Sequence, residues 1–79
     1  MDNRVIVKNK VRDIAEKRGL DRSSFIGLCL QHRRVLEGKR LTADTAGRAY
    51  DGETTLSMTT AALLASALNV DLSELFEIK

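Results

Sequence analysis

Apolar residues recur at intervals of three and four along most of this chain, the spacing that lays one apolar stripe along an α-helix. Val7, Val11, Ile14 and Ala15 form the first stripe, with Lys8, Lys10, Arg12, Asp13, Glu16 and Lys17 on the opposite side. Gly19 is placed to end that helix. Leu20 closes the cap, and Asp21 offers an acceptor to the free N–H groups of the next helix. Phe25, Leu28 and Cys29 continue the inward set, and Val35 and Leu36 join it if the second helix runs on to Glu37, with Gly38 as terminator. Thr42 caps a third, short helix in which Ala46, Ala49 and Tyr50 face inward while Ala43, Asp44, Gly47 and Arg48 face outward; Gly52 ends it. Ser57 caps a fourth helix carrying Met58, Ala61, Leu64, Ala65 and Leu68 into the core, and Asn69 suits a left-handed C-cap. Asp71 with Glu74 three residues later makes a capping-box-like start for a fifth helix bearing Leu72, Leu75, Phe76 and Ile78. Val5, Ile6 and Val7 also suit extended chain.

Five short helices make an all-α compact bundle the expected fold, and 79 residues suffice for one domain spanning 1–79. A chain this short buries only about 60 to 65 % of the surface its unfolded form exposes, so the core is modest. Phe25, Tyr50 and Phe76 are its aromatics, and Leu, Val, Ile and Ala must supply the rest. The longest nearly apolar stretch, residues 61–70, is broken by Ser66 and Asn69 and falls short of the roughly 20 residues a membrane span needs. No signal-peptide pattern opens the chain, so a reducing cytoplasm is expected. Cys29 stands alone and is expected to pack as a small hydrophobe.

The net charge is only +2, but its distribution is uneven. Residues 1–48 hold 12 Lys and Arg against 6 acids, and residues 49–79 hold one Lys against 5 acids. That asymmetry suits a first half facing a polyanion, although a randomly solvated charge face gives the same count.

In this order and spacing the chain resembles the Cro and phage-repressor type of helix-turn-helix DNA-binding domain, the XRE-like family. Val11-Arg-Asp-Ile-Ala-Glu-Lys-Arg-Gly-Leu20 is similar to the family's first helix and turn. Residues 41–52, Leu-Thr-Ala-Asp-Thr-Ala-Gly-Arg-Ala-Tyr-Asp-Gly, are similar to its recognition helix and closing glycine, and residues 57–76 to its last two helices. The resemblance implies a lambda-repressor-like fold, from which this chain departs by an extended region between helices 2 and 3: Phe25 to Ala46 is about ten residues longer than the family's usual unit because residues 29–40 carry extra chain. Arg22 stands where the family commonly carries a Gln that touches a phosphate, a contact an arginine can also make. Gly47, mid-helix, costs roughly 1 kcal/mol relative to alanine and calls for close approach, either of a DNA backbone or of another helix.

The expected function is sequence-specific DNA binding by a transcriptional regulator associated with the nucleoid. The exposed side of Thr42, Ala43, Asp44, Thr45 and Arg48 is the reader: Arg48 suits guanine, Asp44 suits cytosine, and the threonines suit a base or a phosphate. Asp44 and Arg48, four apart, can equally pair with each other. Arg22, Arg33, Arg34, Lys39 and Arg40, with Lys8 and Lys10 as arm contacts, would neutralise phosphates. One helix reads few base pairs, so a homodimer on double-stranded DNA is expected, with the last helix as its contact. A protein-interaction module of the same fold, an antitoxin or adaptor using Leu72, Leu75 and Phe76 or the acidic half, is the alternative. His32 has no Cys or carboxylate at ligand spacing, and Cys29 with His32 lacks an orienting third group, so neither a metal site nor an enzyme is expected. No cofactor or small-molecule ligand is implied.

Overall fold

A computed structural model describes residues 4–79 of the chain. Its elements run β1 (Ile6–Asn9), α1 (Val11–Lys17), α2 (Arg22–Gln31), α3 (Ala43–Tyr50), α4 (Met58–Leu68), α5 (Leu72–Leu75) and β2 (Phe76–Ile78). The five helices are present, but the fold is not all-α. β1 and β2 pair antiparallel, with Ile6 opposite Ile78, Lys8 opposite Glu77 and Asn9 opposite Phe76, and the register slips between Ile6 and Lys8. Val5 and Lys79 extend the pairing through reciprocal backbone hydrogen bonds of 2.9 Å. The β-branched run Val5-Ile6-Val7 favours this extended backbone, and pairing it with Phe76 to Ile78 buries Ile6 and Phe76 together. Val7 therefore leaves the α1 stripe and stays exposed. Phe76 and Ile78 leave the fifth helix, which is a single turn.

Local signals set most helix ends. The Asp21 carboxylate accepts from the Ser24 N–H at 2.8 Å, Thr42 caps α3 through the Thr45 N–H, and Ser57 caps α4 through the Thr60 N–H. Asn69 takes the left-handed C-cap conformation, φ 56°, that asparagine tolerates. The Asp71 side chain makes no cap bond, so the expected capping box does not form; the Glu74 N–H reaches the Asp71 carbonyl instead.

The second helix is shorter than its pattern allows. It stops at Gln31, and residues 33–40 form a narrow turn in which Leu36 and Lys39 exchange backbone hydrogen bonds of 2.9 and 2.8 Å. Glu37 and Gly38 at its tip both have positive φ, 52° and 76°, as a primed two-residue turn requires. This reversal brings the chain back to α3. It also lets Leu36 pack on the core and the Thr59 hydroxyl donate to Glu37 Oε2 at 2.6 Å, contacts that a helix continued to Glu37 would forgo. Val35, expected inside, is 57 % exposed.

The core joins every helix. Val11 and Ala15 of α1, Phe25 and Cys29 of α2, Ala46 and Ala49 of α3, Leu63, Leu64 and Leu68 of α4, and Leu75 with Phe76 are buried together. Leu63 was not foreseen, and Met58 is only partly covered. Arg18 donates to the Leu68 carbonyl at the end of α4, tying α1 to that helix. Among the described residues no helix is long and apolar enough to cross a membrane.

Candidate nucleic-acid interface

α3 is held by its small residues. Ala46 and Ala49 are fully buried, and Tyr50 stacks obliquely on Phe25 of α2 with ring centroids 5.9 Å apart. With those positions turned inward, Asp44, Arg48 and Asp51, spaced i, i+4 and i+7, share the exposed face. Gly47 is on the other side from that expected: it is buried against α2, where an added Cβ would lie 2.6 Å from Arg22 Nη2 and 3.6 Å from Ile26 Cδ1. Close approach to a second helix is thus the reason for the glycine.

The arginines of this face are already partnered. Arg22 clamps Asp51 through Nε and Nη2, each 3.0 Å from a carboxylate oxygen, and this bond holds the Asp51 carboxyl below its usual range. The phosphate contact expected of Arg22 would have to compete with this internal carboxylate. Arg48 Nε donates to Glu53 Oε2, and Asp44 Oδ2 stands 3.9 Å from Arg48 Nη1, a looser ion pair of the kind the four-residue spacing allows. Hydrogen bonds from Arg48, then from Thr55, keep the Glu53 carboxyl below its usual range. Thr42 spends its hydroxyl on the cap, donating to Thr45 Oγ1 at 3.0 Å while accepting the Thr45 N–H, and Thr45 is half-buried. Ala43 is exposed at the start of the helix.

Asn9 holds this arrangement to the body. Its Nδ2 donates to the carbonyls of Ala49 at 2.9 Å and Glu53 at 2.8 Å, while its Oδ1 accepts the Val11 N–H at 2.8 Å. One amide therefore joins the end of β1, the start of α1 and the exit of α3. Asn9, Asp51, Glu53 and Thr55 were not singled out in the sequence. An Asn two residues before a helix is a capping signal, but nothing local points from it to residues 49 and 53.

The densest cluster of cations without an ion pair among the described residues lies on the 33–40 turn, whose one acid is Glu37. Arg33, Arg34, Lys39 and Arg40 are all exposed, and Arg34 Nη1 donates to Ser66 Oγ at 3.2 Å. Among the described residues, no carboxylate is paired with any of these four. A cleft of about 400 Å³ separates the turn from the start of α3, bordered by Arg33, Arg40, Thr42 and Ala43, with Leu30 and Val35 as apolar walls. His32 caps α2 at this cleft, partly buried, and its Nε2 has no hydrogen-bond partner. Lys8 faces Glu77 across the two-stranded sheet, so it belongs to a strand and not to a loose arm. Cys29 is fully buried, and burial pushes its thiol up to about 12.

The site thus consists of a short exposed helix of balanced charge beside an ordered turn of unpaired cations, on a mostly helical body closed by a two-stranded sheet. No protein-family model, no curated protein and no solved structure matches this chain.

Proposed function

We propose that this protein is a sequence-specific DNA-binding transcriptional regulator that lays α3 in the major groove and sets the 33–40 turn on phosphates. The observation that carries this reading is the division of charge. Four exposed cations within eight residues, with Glu37 the one acid of that stretch and none of the four in an ion pair among the described residues, stand beside a helix whose polar side is exposed. Phosphate contacts supply affinity and orientation, and a helix face in the groove supplies sequence information. One eight-residue helix touches few base pairs, so the protein binds as a homodimer on a two-fold site.

Selection of bound duplexes from a random pool, followed by salt titration, tests this. A palindromic preferred site is expected, and each phosphate-neutralising cation should contribute about 0.9 to the log–log salt slope. Absence of duplex binding at low salt, or binding that does not weaken as salt rises, refutes it. One observation favours the alternative of a protein-interaction module: the α3 face carries Asp44, Asp51 and Glu53 against two arginines, both internally paired. Such a module would fail the salt test.

A further inference from the structure

We infer that Glu53 is the positioning residue of a base-reading arginine: it grips Arg48 by the Nε edge, so that the two Nη groups meet a guanine end on. This rests on the proposed DNA binding and deepens it by naming the base and the buttress.

Arg48 sits in the middle of the exposed α3 stripe, and its side chain is half exposed. A guanidinium offers several donor edges, and which one faces the groove decides what it reads. The Nε edge is occupied by Glu53 Oε2. Asp44 lies 3.9 Å from Nη1, beyond hydrogen-bond reach, so among the described residues the outer N–H groups of Nη1 and Nη2 carry no hydrogen bond. Those parallel donors match the N7 and O6 acceptors that guanine displays in the major groove, a pattern no other base edge repeats.

Glu53 is itself immobilised. Its Oε1 accepts from Thr55 Oγ1 at 2.8 Å, its N–H donates to the Arg48 carbonyl at 3.2 Å, and its carbonyl accepts from Asn9 at 2.8 Å. A long side chain held in this way has already lost rotamer freedom on folding and loses less on binding. The same carboxylate repels phosphates. Glu53 therefore lowers affinity for DNA in general while raising discrimination at one base pair, and these opposite signs separate positioning from a merely structural role.

The test uses the full chain on the selected duplex, on that duplex with each base pair replaced in turn, and on random-sequence duplex at low salt. Arg48→Ala identifies the position at which discrimination disappears. At that position Glu53→Ala should reduce discrimination roughly five- to twentyfold, a large part of what a bidentate arginine provides. Glu53→Gln, which keeps an acceptor for Nε, should retain more of it, and Thr55→Val should lose an intermediate amount. Affinity of the Glu53 variants for random duplex should hold or rise. Full discrimination by Glu53→Ala at the position that Arg48→Ala erases overturns the positioning role and leaves DNA binding standing. An equal loss on every duplex does the same, as does an Arg48→Ala variant with no position-specific effect. A wild-type chain that binds no duplex overturns both.

Discussion

Replacing Asn9 by alanine removes three hydrogen bonds, two of which join segments distant in sequence, and the cost can be worked from their surroundings. The two carbonyls of Ala49 and Glu53 and the N–H of Val11 are part-buried, so each loses a partner with only limited access to water as a substitute. At about 1 kcal/mol per bond, with some recovery by solvent, the loss is between about 2 and 3 kcal/mol. A domain of this length has a total stability of about 4 to 12 kcal/mol, so the change is a substantial fraction of the whole. It should lower Tm by roughly 10 to 20 °C in a circular-dichroism melt. Urea denaturation should show the same loss, moving the midpoint by roughly 2 to 3 M if m is about 1 kcal/mol/M. Asn9→Asp is the diagnostic companion, because it keeps the acceptor for Val11 but faces two carbonyls with a carboxylate that cannot donate. It should be at least as unstable as the alanine variant at neutral pH. An Asn9→Ala protein within about 0.5 kcal/mol of wild type, or an aspartate variant that restores stability, would refute the assignment of this amide as the tie between β1 and the exit of α3.

Gly47→Ala should be nearly neutral in stability, because the roughly 1 kcal/mol of helix propensity gained is offset by displacing the Arg22 guanidinium 2.6 Å away and breaking its grip on Asp51; in an Arg22→Ala background the full gain should appear in urea denaturation. Gly47→Leu has no such escape past Ile26 and should destabilise in both backgrounds. The Cys29 thiol is raised from 9.0 to about 12 by burial, so the folded state holds its proton while the unfolded state loses it. Its contribution is therefore intact below pH 9 and declines as pH rises towards 12, a slope absent from Cys29→Ala, and thiol reagents should react only after denaturation. Asp21, Asp51 and Glu53 are shifted the other way by the Ser24 N–H, by Arg22 and by Arg48 respectively. Their contribution is present above the ordinary carboxylate range and is lost as pH falls below about 4, so Asp21→Asn should flatten part of the acid limb of an unfolding titration. On DNA, Arg48→Ala should cost roughly ten- to a hundredfold at one base pair, whereas Lys39→Ala should weaken all sequences alike and reduce the salt slope by about 1.

Most helix starts, and the stop of α4, were legible in the sequence because they depend on groups three or four residues apart. Asp21, Thr42 and Ser57 each reach an N–H three residues ahead, and Asn69 ends α4 by its own backbone conformation. The inward set of α3 was equally plain: Ala46, Ala49 and Tyr50 repeat at helical spacing, and that places Asp44 and Arg48 outside. What escaped reading depends on partners far along the chain. The strand at Ile6–Asn9 needs Phe76–Ile78 for its ladder, and a three-residue segment beginning with Phe76 looks the same as the end of an apolar helix until that partner is present. The turn at residues 33–40 hides in a stretch that continues the helical period, and only Leu36 on the core and Glu37 on Thr59 make reversal the better choice. The partners of the arginines are decided at the same level. The spacing of Asp44 and Arg48 announces a pair, yet the tighter bond of Arg48 goes to Glu53, and Arg22 meets a carboxylate 29 residues away. Composition and period alone determined that this chain makes short capped helices with a basic first half, because those properties reside in local hydrogen bonding and in the faces of a helix. Tertiary packing decided which cations remain free to attract a polyanion and which side chains hold the exposed helix in place, because an ion pair between remote residues exists only once the core has brought them within reach.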